Sequence, residues 1–303
     1  MESIIGIDVG GTSIKWGRVD SEGNKTVSGK VPTEREKPRE VLTKIVDIVS
    51  AQEGVTKIGL SFPGIVGPDG SLLTSGAIIG LEGTPLRKEI EQLTGLPTVV
   101  VNDAHAAGQA ERWLGDGADC DTFVCMTLGT GIGGAVFING QLYRGFRGAA
   151  GELSMSLLGT GSTREELEGA IAARKGGAVA GLARLYSAEL GIVEPTEWFT
   201  DTWEILRLAE AGDEKATRAT DAFYQGLTAV MINVMTMYDP ERILLGGGLS
   251  DRPGFLDETR KRLTATIRVH PAVDPTYVPE LRLCRNGNDA GILGAIYAAH
   301  TMK

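Results

Sequence analysis

The sequence predicts an α/β protein of two domains. The chain has 303 residues, long for one domain and short for three. Apolar β-branched runs alternate with segments of helical spacing. A pattern of strand, glycine turn, strand, polar turn and strand occurs twice, about half a chain apart, and reads as a structural duplication.

The first copy opens at residues 3–9, Ser-Ile-Ile-Gly-Ile-Asp-Val, a strand with both faces partly apolar. Gly10-Gly11-Thr12 breaks it, residues 14–19 form a second strand, 20–24 a polar turn and 25–31 a third strand. Two strands joined by a glycine pair predict a tight antiparallel hairpin. Residues 38–52 place Val41, Leu42, Ile45, Val46, Ile48 and Val49 at helical spacing. A strand at 57–62 ends in Pro63-Gly64, a helix covers 85–94, and a buried strand at 98–101 runs into Asn102-Asp103 and a helix at 104–114.

The second copy has a strand at 121–128, a glycine turn over 129–134, a strand at 135–138, an Asn139-Gly140 turn and a strand at 141–143. The remainder is mostly helical, with helix-spaced runs at 164–190 and 203–239. A strand at 241–245 enters Gly246-Gly247-Gly248, followed by a helix at 256–267, a strand at 281–284 and a closing helix at 290–300.

Composition narrows the function. Hydrophobic residues make up 42% and charged residues 23%, enough for a sizeable core. The net charge of -9 argues against a nucleic-acid or anionic-membrane surface. Cys120, Cys125 and Cys284 are unclustered, so no disulfide framework or CxxC metal site is expected. No secretory leader and no apolar run of about 20 residues is visible, so a reduced, cytoplasmic setting is expected. The 42 glycines are about twice average usage and cluster directly after apolar runs.

These clusters carry the candidate chemistry. After Asp8-Val9, Gly10 and Gly11 let backbone N–H groups approach an anion with no Cβ in the way. Asp8 could hold Mg²⁺ through water, and Thr12 and Lys15 could contact phosphate. A plain hairpin needing glycine for positive φ fits the same residues. Neither a Walker loop nor a dinucleotide fingerprint is present, because a hairpin follows. Gly129, Thr130, Gly131 and Gly133 form the second such turn. Two in duplicated units could hold a triphosphate between them. Gly247 and Gly248 could admit a flat purine or ribose, although a strand-to-helix bend explains them as well. Asp103 ends a buried strand and begins a helix, where it could cap the helix, accept a hydroxyl proton, or both. Asn102 could bond a second hydroxyl, and the two oxygens of Glu152 suit paired sugar hydroxyls. His105, His270 and His300 show no ligand spacing and are assigned surface or local structural roles.

Taken in order, these segments resemble the ROK family (repressor, open reading frame, kinase) of the actin-like ATPase superfamily, over essentially the whole chain. Asp8-Val-Gly-Gly-Thr12 looks like the first phosphate motif, Leu128-Gly-Thr-Gly-Ile-Gly-Gly134 the second, and Gly246-Gly-Gly248 the adenosine motif. Ser61-Phe-Pro-Gly64, Asn102-Asp103 and Ala150-Gly-Glu152 match sugar-site segments, and residues 290–295 a hinge between domains. The resemblance implies two RNase H-like domains with a central cleft, one of residues 1–102 plus 289–303 and the other of 103–288. It implies ATP, Mg²⁺ and a hexose as reactants, Asp103 as base, Gly64, Asn102 and Glu152 at the sugar, and a homodimer. The family's zinc motif is missing: Met155 stands at its histidine position and residues 157–162 lack cysteine, so no structural zinc is expected. Ala77 and Leu81 stand where the family's glucokinases carry Asn and Trp, which points to β-glucosides or modified hexoses beside glucose. Polyphosphate stays open as a donor.

A sugar-sensing regulator is the alternative. The first phosphate motif begins within ten residues of Met1, leaving no room for a DNA reader, and Asp103 is present. An actin- or chaperone-like ATPase would leave Asn102, Asp103 and Glu152 without a task. An anionic acceptor would be repelled by Asp103 and Glu152.

Overall fold

The computed structural model describes residues 3–20, 22–270 and 277–301. Ser21 of the expected turn lies outside the described residues. Strand β1 (Ile4–Val9) runs parallel to β4 (Lys57–Phe62), with Asp8 level with Ser61. β4 runs parallel to β5 (Thr98–Asn102), with Phe62 level with Asn102. β2 (Ser13–Val19) returns antiparallel to β1 and sets Lys15 opposite Asp8, and β3 (Lys25–Pro32) pairs antiparallel with β2. The order is β3-β2-β1-β4-β5.

A second sheet contains β6 (Phe123–Leu128), β7 (Ile132–Ile138), β8 (Gln141–Leu142), β9 (Arg242–Gly246) and β10 (Glu280–Leu283). Its order is β8-β7-β6-β9-β10, the same as the first sheet strand for strand. The duplication therefore lives in the topology. Each sheet has the RNase H-like order that the resemblance implies.

Helix α1 (Pro38–Ser50) buries Val41, Leu42, Ile45, Ile48 and Val49 in a core shared with Ile5, Ile7, Leu60 and Phe62. Burial stabilises by about 1.5–3 kcal/mol for each such side chain. Helix α10 (Ala290–Thr301) crosses β1 and β4 at Gly6 and Gly59. A Cβ there would lie 2.5 Å from Ile292 O and 2.1 Å from Ala295 O, so part of the high glycine content serves close helix–sheet packing. Helix α3 (Asp103–Leu114) packs along α10, with Trp113 stacked on Tyr297 at 5.8 Å. Helix α2 (Leu86–Thr94) precedes β5.

The expected helical run at 164–190 is broken. It resolves into α4 (Arg164–Ala170), α5 (Ala172–Gly176), a π-helical stretch Ala178–Ala183 and α6 (Arg184–Glu189). Ile171 and Gly177 are extended, and Gly176 sits where a Cβ would be 2.8 Å from Leu227 N. The run at 203–239 divides into α7 (Thr202–Glu210) and α8 (Glu214–Tyr238). Gly212 has φ +88°, and Asp213 caps the second helix by accepting from Ala216 N at 2.7 Å. Helix α9 (Phe255–Val269) follows β9. Among the described residues no helix is long and apolar enough to cross a membrane.

By packing, the chain divides into two compact units. Unit 1 holds Met1–Asp119, Ala135–Ala150 and Arg285–Lys303, and unit 2 holds Cys120–Gly134 and Gly151–Cys284. These packing units differ in span from the domains that the resemblance implies, with boundaries at 102/103 and 288/289. Packing places α3 with α10, and Glu111 on α3 accepts the N–H groups of Arg285 and Asn286, which brings both into unit 1.

Candidate active site

In unit 1 the candidate residues gather at the carboxyl ends of β1, β4 and β5. Asp8 Oδ1 accepts from Ser61 Oγ at 2.8 Å, and Ser61 is 0% exposed. Gly291 in the first turn of α10 backs onto this carboxyl; a Cβ there would fall 2.3 Å from Asp8 Cγ. A helix N-terminus favours a carboxylate beside it. Burial nevertheless raises the Asp8 pKa, against the opposing effects of the Ser61 bond and the Lys15 charge. Lys15 Nζ donates to Asn288 O at 3.3 Å. Gly10 N donates to Ser13 O at 3.0 Å and closes the turn. Neither Gly10 nor Gly11 has positive φ, so the hairpin does not require glycine for that reason. Thr12 is exposed beside them.

Asn102, rather than Asp103, caps α3. Its Oδ1 accepts from Ala104 N at 2.8 Å and His105 N at 3.0 Å, and its Nδ2 donates to Gly64 O at 2.7 Å. Asn102 is thus largely occupied in holding the strand end to the Gly64 loop. Gly64 is required there: its φ is +96°, and a Cβ would lie 2.4 Å from Thr74 O. Asp103 is the first helical residue, and its Oδ1 accepts from Ala104 N at 2.8 Å. It retains accessible surface yet sits recessed among protein atoms. That desolvation pushes its pKa up to about 6, helped by the Asp8 charge and opposed by the Ala104 N–H.

His105 Nε2 donates to Ala150 O at 3.0 Å, which anchors the loop ahead of Gly151-Glu152. Burial pushes this imidazole's pKa down, in keeping with the local structural role assigned from sequence. Leu81 is 1% exposed and belongs to the core, whereas Ala77 is exposed and its Cβ lies 3.2 Å from where a Cβ on Gly11 would stand.

In unit 2 the glycine turn is shorter than expected. β7 begins at Ile132, so Gly133 and Gly134 are strand residues. Ser154 fastens the turn: Ile132 N donates to its Oγ at 2.8 Å, and that Oγ donates to Ile132 O at 3.0 Å. Gly129 O accepts from Ala178 N and Val179 N at 3.2 and 3.3 Å, and Thr130 O accepts from Ala180 N at 2.8 Å. Gly247 has a protein-internal reason to be glycine, with φ +92° and a Cβ position 2.3 Å from Leu128 O. Gly129 and Gly248 do not. Both have ordinary φ, and among the described residues nothing lies within 4 Å of a Cβ placed on either. Room kept clear without a packing reason is what close approach by a ligand requires. Trp203 Nε1 donates to Gly248 O at 2.9 Å. Glu152 is half-buried and leads into a 3₁₀ turn at Leu153–Met155.

Sequence reasoning missed Ser154 and Trp203, and passed over Ser61 and Gly291 within quoted segments. Ser61 carried a signal, a hydroxyl in an otherwise apolar strand. Ser154 and Trp203 had none, because their importance comes from partners distant in sequence.

Among the described residues no group of three or more His, Cys, Asp or Glu side chains gathers to hold a metal. Asp8 alone suits an ion that keeps most of its water, the habit of Mg²⁺.

A sequence model of the ROK family matches residues 4–302. The chain belongs to the ROK family. It is 33% identical over 296 residues to a β-glucoside kinase of Listeria monocytogenes, covering 97% of this chain and 96% of that one. It is 31% identical over 310 residues to an N-acetyl-D-glucosamine kinase of Pectobacterium carotovorum, covering 96% of each. The crystal structure of a ROK family glucokinase from Streptomyces griseus in complex with glucose and AMPPNP is similar with a TM-score of 0.79 and 27% identity, over 98% of this chain and 99% of that one. The fold is therefore the actin-like ATPase fold of ROK sugar kinases.

Proposed function

We propose that this sugar kinase moves the γ-phosphoryl group of ATP to a hydroxyl of a β-glucoside or hexose, with Asp103 taking the hydroxyl proton. The observation that carries this is the placing of Asp103: an exposed carboxyl at the carboxyl end of β5, relieved of capping α3 by Asn102, with its pKa raised to about 6. A base with a pKa near the working pH is mostly ionised and still accepts a proton readily. Asp103 holds that proton while the sugar oxygen attacks phosphorus in line with the departing ADP.

Asp8, Gly10, Gly11, Thr12 and Lys15 would face the phosphates. Asp8 would hold Mg²⁺ largely through water, and the chemistry that ion supplies is neutralisation of phosphate charge. Gly129, Thr130, Gly131, Gly133, Gly247 and Gly248 are assigned to the nucleotide, with the open positions at Gly129 and Gly248 as the strongest support. Gly64, Asn102 and Glu152 are assigned to the sugar. Asn102 can give its second amide N–H, since the first is taken by Gly64 O. β-Glucosides rank first among acceptors, because the Listeria relative is a β-glucoside kinase and Ala77 offers no hydrogen bond where glucokinases of the family carry Asn.

The test is ADP release with MgATP across hexoses, amino sugars and β-glucosides. A sugar-dependent rate with β-glucosides preferred is expected. Preference for free glucose overturns the acceptor assignment, and no sugar dependence overturns the activity. A second expectation concerns pH. Because the base works ionised and its pKa is raised to about 6, kcat/KM should fall as pH drops through about 6. A rate held constant down to about pH 4, the range of an ordinary Asp, would show that the base of the working enzyme does not have a raised pKa.

A further inference from the structure

Glu111 on α3 is 0% exposed, and its carboxyl oxygens take four hydrogen bonds. Oε2 accepts from Asp116 N at 3.1 Å. Oε1 accepts from Arg285 N at 2.9 Å, Asn286 N at 3.0 Å and Asn286 Nδ2 at 2.9 Å. Three of the four therefore hold the segment with which the chain enters unit 1 before α10. One oxygen of a carboxylate that takes no part in the proposed chemistry is thus given to one short strap.

The strap continues into the residues that matter. Gly287–Asp289 form a 3₁₀ turn. Asn288 O takes the Lys15 ammonium at 3.3 Å, and Asp289 pairs with Lys25 at 2.9 Å. Two residues on, Gly291 backs the Asp8 carboxyl, with its would-be Cβ 2.3 Å from Asp8 Cγ. Asp8 and Lys15 stand opposite each other on β1 and β2, so the strap and the first turn of α10 that follows it reach both.

We propose that Glu111 is a positioning residue for the phosphate end of the site: by fixing Arg285 and Asn286 it sets the strap that holds Lys15 and backs Asp8. This rests on the reading that Asp8 and Lys15 face the phosphates of the donor. Glu111 touches neither reactant. Its removal should displace the strap and weaken the hold on MgATP, while Asp103, Asn102 and Gly64, joined by their own bonds, keep their places.

The experiment measures KM for MgATP and for the preferred sugar in Glu111→Ala, Glu111→Gln and Asn286→Ala, with thermal unfolding alongside. Outer groups that orient a metal ligand typically contribute about 10–100-fold, and the strap backs Asp8, the residue assigned to Mg²⁺, in that way. Glu111→Ala should raise KM for MgATP about tenfold or more, with KM for sugar unchanged. Glu111→Gln keeps an acceptor oxygen for Arg285 and Asn286 and should restore most of the loss. Asn286→Ala removes one strap bond and should raise KM for MgATP about threefold, the low end of what one hydrogen bond contributes, which keeps the test open if Glu111→Ala does not fold. A parallel rise in both KM values, or a lower rate with both unchanged, overturns the positioning role. If the unsubstituted protein shows no sugar-dependent ADP release, the kinase reading fails and the role falls with it. If it turns over and the variants keep its KM for MgATP, the positioning role fails alone.

Discussion

Asp103→Ala lowers kcat by about 10³-fold and leaves the Kd for MgATP unchanged, the expected result if Asp103 takes the hydroxyl proton. Helix α3 keeps its cap in this variant, because Asn102 supplies it, and thermal unfolding should stay close to that of the unsubstituted protein. Asp103→Asn separates chemistry from shape. It keeps an oxygen for Ala104 N and cannot accept the proton, so it should be as slow as the alanine variant. Steady-state ADP release and calorimetric ATP titration decide the matter. A wild-type kcat in either variant would falsify the assignment of the base.

Gly294→Ala should unfold far more easily than the unsubstituted protein. Two effects compete. Alanine is the better helix former by about 1 kcal/mol. Its Cβ, however, would lie 1.7 Å from Ala106 O and 2.7 Å from Ala106 Cα, which are backbone atoms of α3. Neither helix can yield by turning a side chain, so α10 and α3 must separate. Overpacking of this kind destabilises by about 3 kcal/mol and outweighs the propensity gain. The net loss of about 2 kcal/mol should lower the unfolding midpoint by about 4–8 °C by scanning calorimetry. A midpoint equal to or above that of the unsubstituted protein would show that the helices accommodate a methyl group without parting.

Much of the fold was legible in local pattern. The strand at 57–62 and the start of α1 at Pro38 coincide with the structure, since alternation and the 3.6-residue period follow from short-range geometry. Asp8 and Asp103 stood out for the same reason, as carboxyls where an apolar strand meets a turn or helix. The breaks within 164–190 were not legible. The apolar spacing there is helical, but Gly176 must let α8 approach, and α8 lies about 50 residues further along. The turn at 129–134 was read as too long because glycine suits turns and close contacts alike; Gly134 makes room for Gly151 O, 2.4 Å from its would-be Cβ.

The sequence by itself determined the α/β class, the duplicated strand pattern, the ROK resemblance and the placing of Asp8 and Asp103 at strand ends. These follow from periodicity and from motifs a few residues long. Only the tertiary structure decided that Asn102 caps α3, that Leu81 belongs to the core, that Ser61 and Gly291 frame Asp8, and that Glu111 grips Arg285 from 174 residues away. A buried polar group must find its hydrogen-bond partners wherever the chain brings them, and nothing in local spacing says which distant segment that will be.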